Sequence, residues 1–240
     1  MKTDKEIIRN IGSFQCIENG KTTLEEANKI ISELKSNPLH LILSSFGFES
    51  PIVCEKLKKI IPQEDIENKQ CFVIPSAQKN VQTTFEITKK ELIVFGFSEE
   101  NIRLTENRED LMFGFPDYIY VPGGDPFLLL KILKDLNLIF PLIECVKEKR
   151  ATYIGVSAGA DILAKNIGYV TQFEDNNVIC DNDFSALGLI NEGVLCHYNH
   201  RSFSLLKTCK EICNTDFVTL NDDQVIEFTD GLWEYAGDEL

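Results

Sequence analysis

The pattern of apolar and polar residues changes near residue 40. From there on, short apolar runs alternate with amphipathic stretches in which apolar residues recur every three or four positions. The apolar runs predict strands, and the amphipathic stretches predict helices. The predicted strands are Leu41–Leu43, Cys71–Ile74, Tyr118–Val121 and Tyr153–Val156, and the predicted helices are Cys54–Ile61, Val81–Phe95, Pro126–Leu136 and Ile143–Lys149. This alternation predicts an α/β fold, a mostly parallel sheet with helices on both faces.

The two ends of the chain differ from this middle part. Residues 1–36 are polar and charged, and Thr23–Leu34 has the helical spacing of apolar residues. We therefore expect a helical N-terminal extension, followed by a main domain of residues 37–240. In the last part of the chain the pattern is weaker, although Val218–Leu220 and Val225–Phe228 still predict two late strands.

The overall charge excludes two classes of partner. The 240 residues include 24 basic and 38 acidic side chains, and the formal net charge is −14. Nonspecific binding to nucleic acid or to an anionic membrane needs clustered Lys and Arg, so we expect neither partner. No stretch approaches the roughly 18–20 apolar residues of a membrane span, and Met1–Glu6 lacks the apolar run of a signal peptide. We therefore expect a cytoplasmic protein.

Eight cysteines are scattered along the chain. The closest pair, Cys209 and Cys213, has no second Cys pair or His pair nearby that would complete a zinc site. Reduced structural thiols fit this pattern better than disulfides, and a redox or metal-binding protein is the weaker alternative. We expect no metal and no cofactor.

The strongest local signal for chemistry is Gly155-Val156-Ser157-Ala158-Gly159, which follows a predicted strand and opens a predicted helix. A G-x-S-x-G nucleophile elbow requires this context. The serine of an elbow lies on a sharp, strained turn, and glycine on either side removes the collisions that side chains would make. The alternative is a turn of small residues that packs a helix onto a strand.

A second turn lies upstream, where the strand that ends at Val121 runs into Pro122-Gly123-Gly124-Asp125-Pro126. Asp125 can cap the next helix, and Pro126 suits its first position. The glycines also expose backbone amides at the carboxyl end of a strand, where open α/β sheets bind ligands. The Gly124 amide could therefore join the Ala158 amide in a two-donor oxyanion hole.

An activated serine needs a base, and the chain has three histidines. His40 precedes the first strand, at the wrong end of a parallel sheet. His197 follows the apolar run Val194–Cys196 and is the better candidate. The carboxylate that would orient its imidazole is either Asp175 or Asp222, and both aspartates could equally be ordinary loop residues.

Together, three segments resemble the dipeptidase E family of serine peptidases, which are aspartyl dipeptidases related to cyanophycinases. The segments are Tyr120–Phe127 (YVPGGDPF), Tyr153–Ala160 (YIGVSAGA) and Cys196–Tyr198 (CHY). The resemblance extends from about Leu41 to Phe228 and leaves residues 1–36 outside it. It implies a three-layer, flavodoxin-like fold similar to that of class I glutamine amidotransferases, with residues 37–240 as the catalytic domain.

The resemblance also implies roles for single residues. Ser157 matches the nucleophile of the family and His197 its base, while Gly124 and Ala158 match the amides of the oxyanion hole. Asp175 falls where the family has an Asp in its charge-relay set. Asp222 falls where members carry an acidic residue, usually Glu, as the proposed third triad member. We keep both aspartates and slightly favour Asp175.

Family members that prefer N-terminal Asp pair its side chain with an arginine downstream of the histidine. The nearest match is Arg201, although the loop after His197 is shorter than in the family pattern. Guanidinium suits bidentate carboxylate recognition, and we expect Arg201 and Asp125 to contact substrate.

The resulting prediction is a serine peptidase that acts on short peptides and prefers N-terminal Asp. The oligomeric state is left open, with a homodimer as one option. The alternatives are a cyanophycinase-like or other amide hydrolase on the same scaffold, and a noncatalytic homologue that binds a small molecule or a partner.

Overall fold

The computed structural model describes residues 39–75, 80–148, 151–175, 178–179, 182–199, 202–229 and 231–236. The predicted N-terminal extension, including the predicted helix Thr23–Leu34, lies outside these residues.

Within the described residues, seven strands form the central sheet, and two more form a small second sheet. The strands are β1 (His40–Ser44), β2 (Cys71–Val73), β3 (Ile102–Leu104), β4 (Tyr118–Val121), β5 (Thr152–Val156), β6 (Gly193–Leu195), β7 (Phe217–Thr219), β8 (Val225–Thr229) and β9 (Leu232–Tyr235). The order in the central sheet is β3-β2-β4-β5-β1-β8-β9. Its first five strands are parallel, while β8 runs antiparallel to both β1 and β9. Strands β6 and β7 pair in parallel with each other.

Helices connect the strands. They are α1 (Pro51–Ile60), α2 (Val81–Phe95), α3 (Arg108–Phe113), α4 (Pro126–Asp135), α5 (Ile139–Lys147), α6 (Ala158–Asp161) and α7 (Phe203–Cys213), with short 3-10 turns at Ile66–Asn68, Glu99–Asn101 and Gly168–Gln172. Several begin at a side chain that accepts the free amides of the first turn, as Ser50 does for α1 and Asn80 does for α2.

Two separate cores show that the sheet is covered on both faces. Successive strand residues point to opposite sides, so Leu41 and Leu43 belong to one core and Ile42 to the other. Helices α3 to α6 pack on the first face, and α1 and α2 pack on the second, as the core residues Leu130 and Leu57 illustrate. The predicted three-layer α/β fold is confirmed.

Most predicted elements are present with shifted ends. Helix α5 begins at Ile139, four residues before the predicted start, because Pro141 is tolerated within the first turn. The sequence interpretation missed four elements: β3, α3, α7 and β9. Strand β3 has three residues at the edge of the sheet, and its central Arg103 is exposed, so it produces no apolar run.

Across the residues that the structure describes, none of the helices combines the length and the apolar character needed to span a membrane. The same residues contain no group of three or more His, Cys, Asp or Glu side chains placed to hold one metal ion.

Candidate active site

Ser157 lies at a sharp turn between β5 and α6. Its backbone angles are φ 49° and ψ −114°, a conformation that L-residues rarely adopt. The flanking glycines are required sterically: a Cβ on Gly155 would lie 2.6 Å from the Gly159 carbonyl oxygen, and one on Gly159 would overlap the Val121 carbonyl oxygen. The Tyr153 hydroxyl donates to the Gly159 carbonyl at 2.6 Å and braces the turn from below. The local geometry is that of the predicted elbow.

His197 faces this serine. It follows β6, and its Nε2 atom is 3.2 Å from Ser157 Oγ. Its backbone amide donates to Ser45 Oγ at 2.9 Å, and the Ser45 hydroxyl donates to the Leu220 carbonyl at 3.0 Å. The Phe46 ring contacts the imidazole edge-on, with centroids 5.3 Å apart. These contacts from the loop after β1 hold the histidine beside the elbow.

Asp222 contacts the other side of the imidazole. Its Oδ1 atom is 2.6 Å from His197 Nδ1. If Nδ1 carries the proton and donates it to Asp222, Nε2 is left as the acceptor for the Ser157 hydroxyl. The small sheet produces this arrangement: because β6 and β7 are parallel neighbours, the loops that follow them meet, and the Tyr198 amide donates to the Leu220 carbonyl at 2.8 Å.

The structure places Asp222, rather than the slightly favoured Asp175, beside the imidazole. Asp175 is an exposed residue beyond the 3-10 turn Gly168–Gln172, and the carboxylate placed at His197 Nδ1 is that of Asp222. Spacing along the chain could not decide between the two, because the choice depends on the pairing of β6 with β7. The predicted substrate contact Arg201 lies outside the described residues.

The glycine turn after β4 lies next to the serine. Gly124 has φ 142°, a value that favours glycine, and a Cβ on Gly123 would lie 3.2 Å from the Cβ of Ser157. The Asp125 carboxylate accepts the amides of Phe127 and Leu128 at 2.9 and 3.0 Å. Its predicted capping role is therefore confirmed. Its predicted contact with substrate remains a prediction.

A cavity of about 330 Å³ opens between this turn, Ser157 and His197. One wall carries two carboxylates, Glu49 from the loop after β1 and Glu91 from α2, together with the Tyr120 side chain from β4. Burial and the nearby Glu49 raise the pKa of Glu91 above its usual range. Burial, with these carboxylates as a second cause, also raises the pKa of Tyr120.

Sequence reasoning missed the residues of this wall and also Ser45. Two signals could have identified them. Ser45 and Glu49 lie in the loop that follows the first strand, at the edge where open α/β sheets bind ligands. In α2, Thr84, Thr88 and Glu91 recur at helical spacing, which places polar residues on one face of a helix that packs against the sheet.

A further carboxylate lies beneath the elbow. Asp161, the last residue of α6, is 5% exposed, and its Oδ1 atom has no hydrogen-bond partner among the described residues. Burial, and to a smaller extent Glu174, raises the pKa of Asp161 well above its usual range.

His40 lies at the opposite end of the sheet, as its sequence position predicts. It is the first residue of β1, and its Nδ1 and Nε2 atoms lie 3.1 Å from Thr152 Oγ1 and 2.6 Å from Glu227 Oε1. The structure therefore places His40 away from Ser157.

Comparison with known proteins yields matches to peptidases. Residues 41–234 match the profile of peptidase family S51. An uncharacterised peptidase of Listeria monocytogenes is 30% identical over 157 residues, which cover 61% of this chain and 76% of the relative. A Drosophila melanogaster protein named "Probable alpha-aspartyl dipeptidase" is 28% identical over 130 residues, which cover 54% and 52% of the two chains.

Among solved structures, the crystal structure of a "Putative Peptidase E Protein" from Listeria monocytogenes superposes with a TM-score of 0.67. The match covers 82% of this chain and 98% of the other at 22% identity, and it supports the fold.

Proposed function

This chain belongs to peptidase family S51, and we propose that it hydrolyses short peptides through an acyl-enzyme on Ser157. The observation that carries this mechanism is the continuous hydrogen-bonded series from Ser157 Oγ through the His197 imidazole to Asp222. The series ends in a cavity large enough for a small ligand, since such pockets span roughly 300–1,000 Å³.

In this mechanism, Ser157 Oγ attacks the scissile carbonyl carbon while its proton passes to His197 Nε2. Asp222 keeps the imidazole in the required tautomer and stabilises the imidazolium that forms. The oxygen of the tetrahedral intermediate accepts hydrogen bonds from the Gly124 and Ala158 amides. The C–N bond then breaks as His197 returns the proton to the leaving amine. In the second half-reaction, His197 takes a proton from water, whose oxygen attacks the ester carbonyl carbon. The C–O bond to Ser157 then breaks as His197 returns the proton to Ser157 Oγ, which releases the acid product.

We propose dipeptides as the substrates, because the relatives that carry functional names are called dipeptidase and peptidase E. The preference for N-terminal Asp depends on Arg201, which lies outside the described residues, and it stays a prediction.

The test is hydrolysis of Asp-Leu, Leu-Leu, Lys-Leu and a β-aspartyl dipeptide by the wild type, Ser157→Ala and Ser204→Ala. Ser204 is an exposed residue of α7 and serves as the matched serine control. We expect release of amino acids by the wild type and Ser204→Ala and none above background by Ser157→Ala. Equal activity of all three proteins would refute the role of Ser157. Cleavage of the β-aspartyl peptide alone would favour the cyanophycinase-like alternative.

We also propose a cytoplasmic location, because the described cysteines form no disulfide, as is usual in reducing compartments. A homodimer stays a prediction that sedimentation would test.

A further inference from the structure

The cavity beside Ser157 has an acidic wall. Glu49 and Glu91 approach it from two different elements, the loop after β1 and helix α2. They are close enough that the charge of Glu49 contributes to the raised pKa of Glu91. This wall belongs to the cavity that also contains the nucleophile and the glycine turn, so it faces any peptide that reaches Ser157.

Neither carboxylate has a basic partner among the described residues. Glu49 Oε1 accepts the Gly47 amide at 3.0 Å, which leaves its charge uncompensated. Lys89, on the same helix as Glu91, pairs instead with Glu99 at 2.9 Å. Two carboxylates that share a cavity without a counter-ion repel each other and lose hydration, and a cation placed between them relieves both costs.

The remaining walls suit the stem of a long side chain. Ile87 of α2 and Val156 of β5 line the same cavity, and Phe46 is 39% exposed at its rim. Apolar walls that end at carboxylates match the aliphatic stem and charged head of a basic side chain. The net charge of −14 adds a long-range attraction for cationic peptides and a repulsion of acidic ones.

We propose that Glu49 and Glu91 form a specificity subsite that binds a positively charged group of the peptide, so that cationic peptides are favoured over acidic ones. The proposal rests on the proposed peptidase function, and it is opposite in sign to the preference for N-terminal Asp. The charged group is either a Lys or Arg side chain or the α-ammonium group, and the experiment separates these two sources.

The experiment measures binding without requiring turnover. Calorimetry with the Ser157→Ala protein, which lacks the proposed nucleophile, gives dissociation constants for Lys-Leu, Leu-Leu and Asp-Leu. The same titrations follow with Glu91→Gln added, and with Glu86→Gln added as the control. Glu86 lies on the same helix, but it is exposed and pairs with Gln82 outside the cavity. Glu49→Gln, at an exposed position, provides a second test variant whose folding is less at risk.

We expect Lys-Leu to bind about tenfold more tightly than Asp-Leu, and Glu91→Gln to remove most of this difference. If Glu91→Gln weakens Lys-Leu but leaves Leu-Leu unchanged, the subsite binds the basic side chain. If it weakens both equally while Glu86→Gln weakens neither, the subsite binds the α-ammonium group of each peptide, and Asp-Leu is disfavoured because the two glutamates repel its side-chain carboxylate. Either result supports the proposal.

The proposal is overturned if Asp-Leu binds as tightly as Lys-Leu, if the two subsite variants change nothing, or if none of the peptides binds. Hydrolysis by the wild type provides the separate readout for the proposed function. Charge-selective binding without serine-dependent hydrolysis would refute the proposed function alone. Serine-dependent hydrolysis without charge selectivity would refute the subsite alone.

Discussion

The two ends of the central sheet present the same three chemical groups. At one end, His197 lies between Ser157 Oγ at 3.2 Å and Asp222 Oδ1 at 2.6 Å. At the other end, His40 lies between Thr152 Oγ1 at 3.1 Å and Glu227 Oε1 at 2.6 Å. A histidine held between a hydroxyl and a carboxylate is therefore not sufficient to define an active site.

The backbone that carries the hydroxyl distinguishes the two ends. Thr152 is the first residue of β5 and pairs regularly with its neighbours, whereas Ser157 follows the last residue of the same strand in a strained turn. His197 and Asp222 are 47% and 58% exposed beside a cavity, while His40 and Glu227 are 27% and 29% exposed. A substrate carbonyl can reach a hydroxyl that a strained turn lifts into a cavity.

The end of the sheet that carries Ser157 also has energetically unfavourable features that the other end lacks. It contains the strained Ser157 and the buried Oδ1 atom of Asp161, which has no hydrogen-bond partner in the part of the chain that the structure describes. At the His40 end, both ring nitrogens have partners and the backbone is regular strand. Proteins commonly place strain at functional sites, where the surrounding structure maintains it.

Replacing each of the two histidines separately by alanine is the strongest test of this comparison. His197→Ala should lower kcat/KM by on the order of 10⁴- to 10⁶-fold, because it removes the base and the proton donor. His40→Ala should leave kcat/KM within a few-fold and lower the free energy of unfolding by about 1–2 kcal/mol through two lost hydrogen bonds. Peptide hydrolysis and urea unfolding measure the two effects. A comparable loss of activity in both variants would contradict the distinction between the ends.

The carboxylates provide the next test. Asp222→Asn should lower kcat by roughly 10²- to 10⁴-fold, since an amide favours the wrong imidazole tautomer. Asp175→Asn and Glu227→Gln should change kcat by less than about threefold, because neither carboxylate is the one hydrogen-bonded to His197. If Asp175→Asn produced the larger loss, Asp175 would replace Asp222 as the third triad member.

Steric limits on the elbow predict a loss of stability. Gly159→Ala should destabilise the protein by about 2–3 kcal/mol, although Ala favours helices, because its Cβ would overlap the Val121 carbonyl. The control is Gly168→Ala, whose Cβ would meet side-chain atoms of Asn166 and Phe184 rather than backbone, and it should cost only about 1 kcal/mol. Equal unfolding free energies for the two variants would show that the elbow has room to relax.

The smallest effect concerns Asp161 and depends on pH. In the unfolded chain its carboxyl releases a proton near the ordinary Asp pKa, while burial in the fold retains the proton to higher pH. The unfolded state therefore binds fewer protons in this window, and stability falls as pH rises. Asp161→Asn removes this loss, so it should raise Tm at pH 7. The gain should shrink as pH falls toward the ordinary Asp pKa, and a gain that grew on acidification would contradict the assignment.

Local patterns predicted the elements that are long or that are bounded by clear capping or turn residues. Helix Val81–Phe95 was predicted with its observed ends, because Asn80 and Gly96 bound a clear helical period. The patterns did not predict the edge strands Ile102–Leu104 and Leu232–Tyr235, because half-exposed edge positions do not require apolar residues. Helix Phe203–Cys213 has a single fully buried residue, Cys209, so its period is weak.

The amino-acid sequence by itself determined strand β5, the elbow that follows it and the glycine turn after β4. The reason is that the spacing of glycine and serine in these turns reflects steric limits among residues a few positions apart. The sequence also determined that His197 lies at the carboxyl end of a strand. Only the tertiary structure decided which aspartate meets the imidazole, since that depends on strand β6 lying beside β7. It alone brought Glu49 and Glu91 to one cavity wall, because the two residues are 42 positions apart on different elements and no local pattern links them.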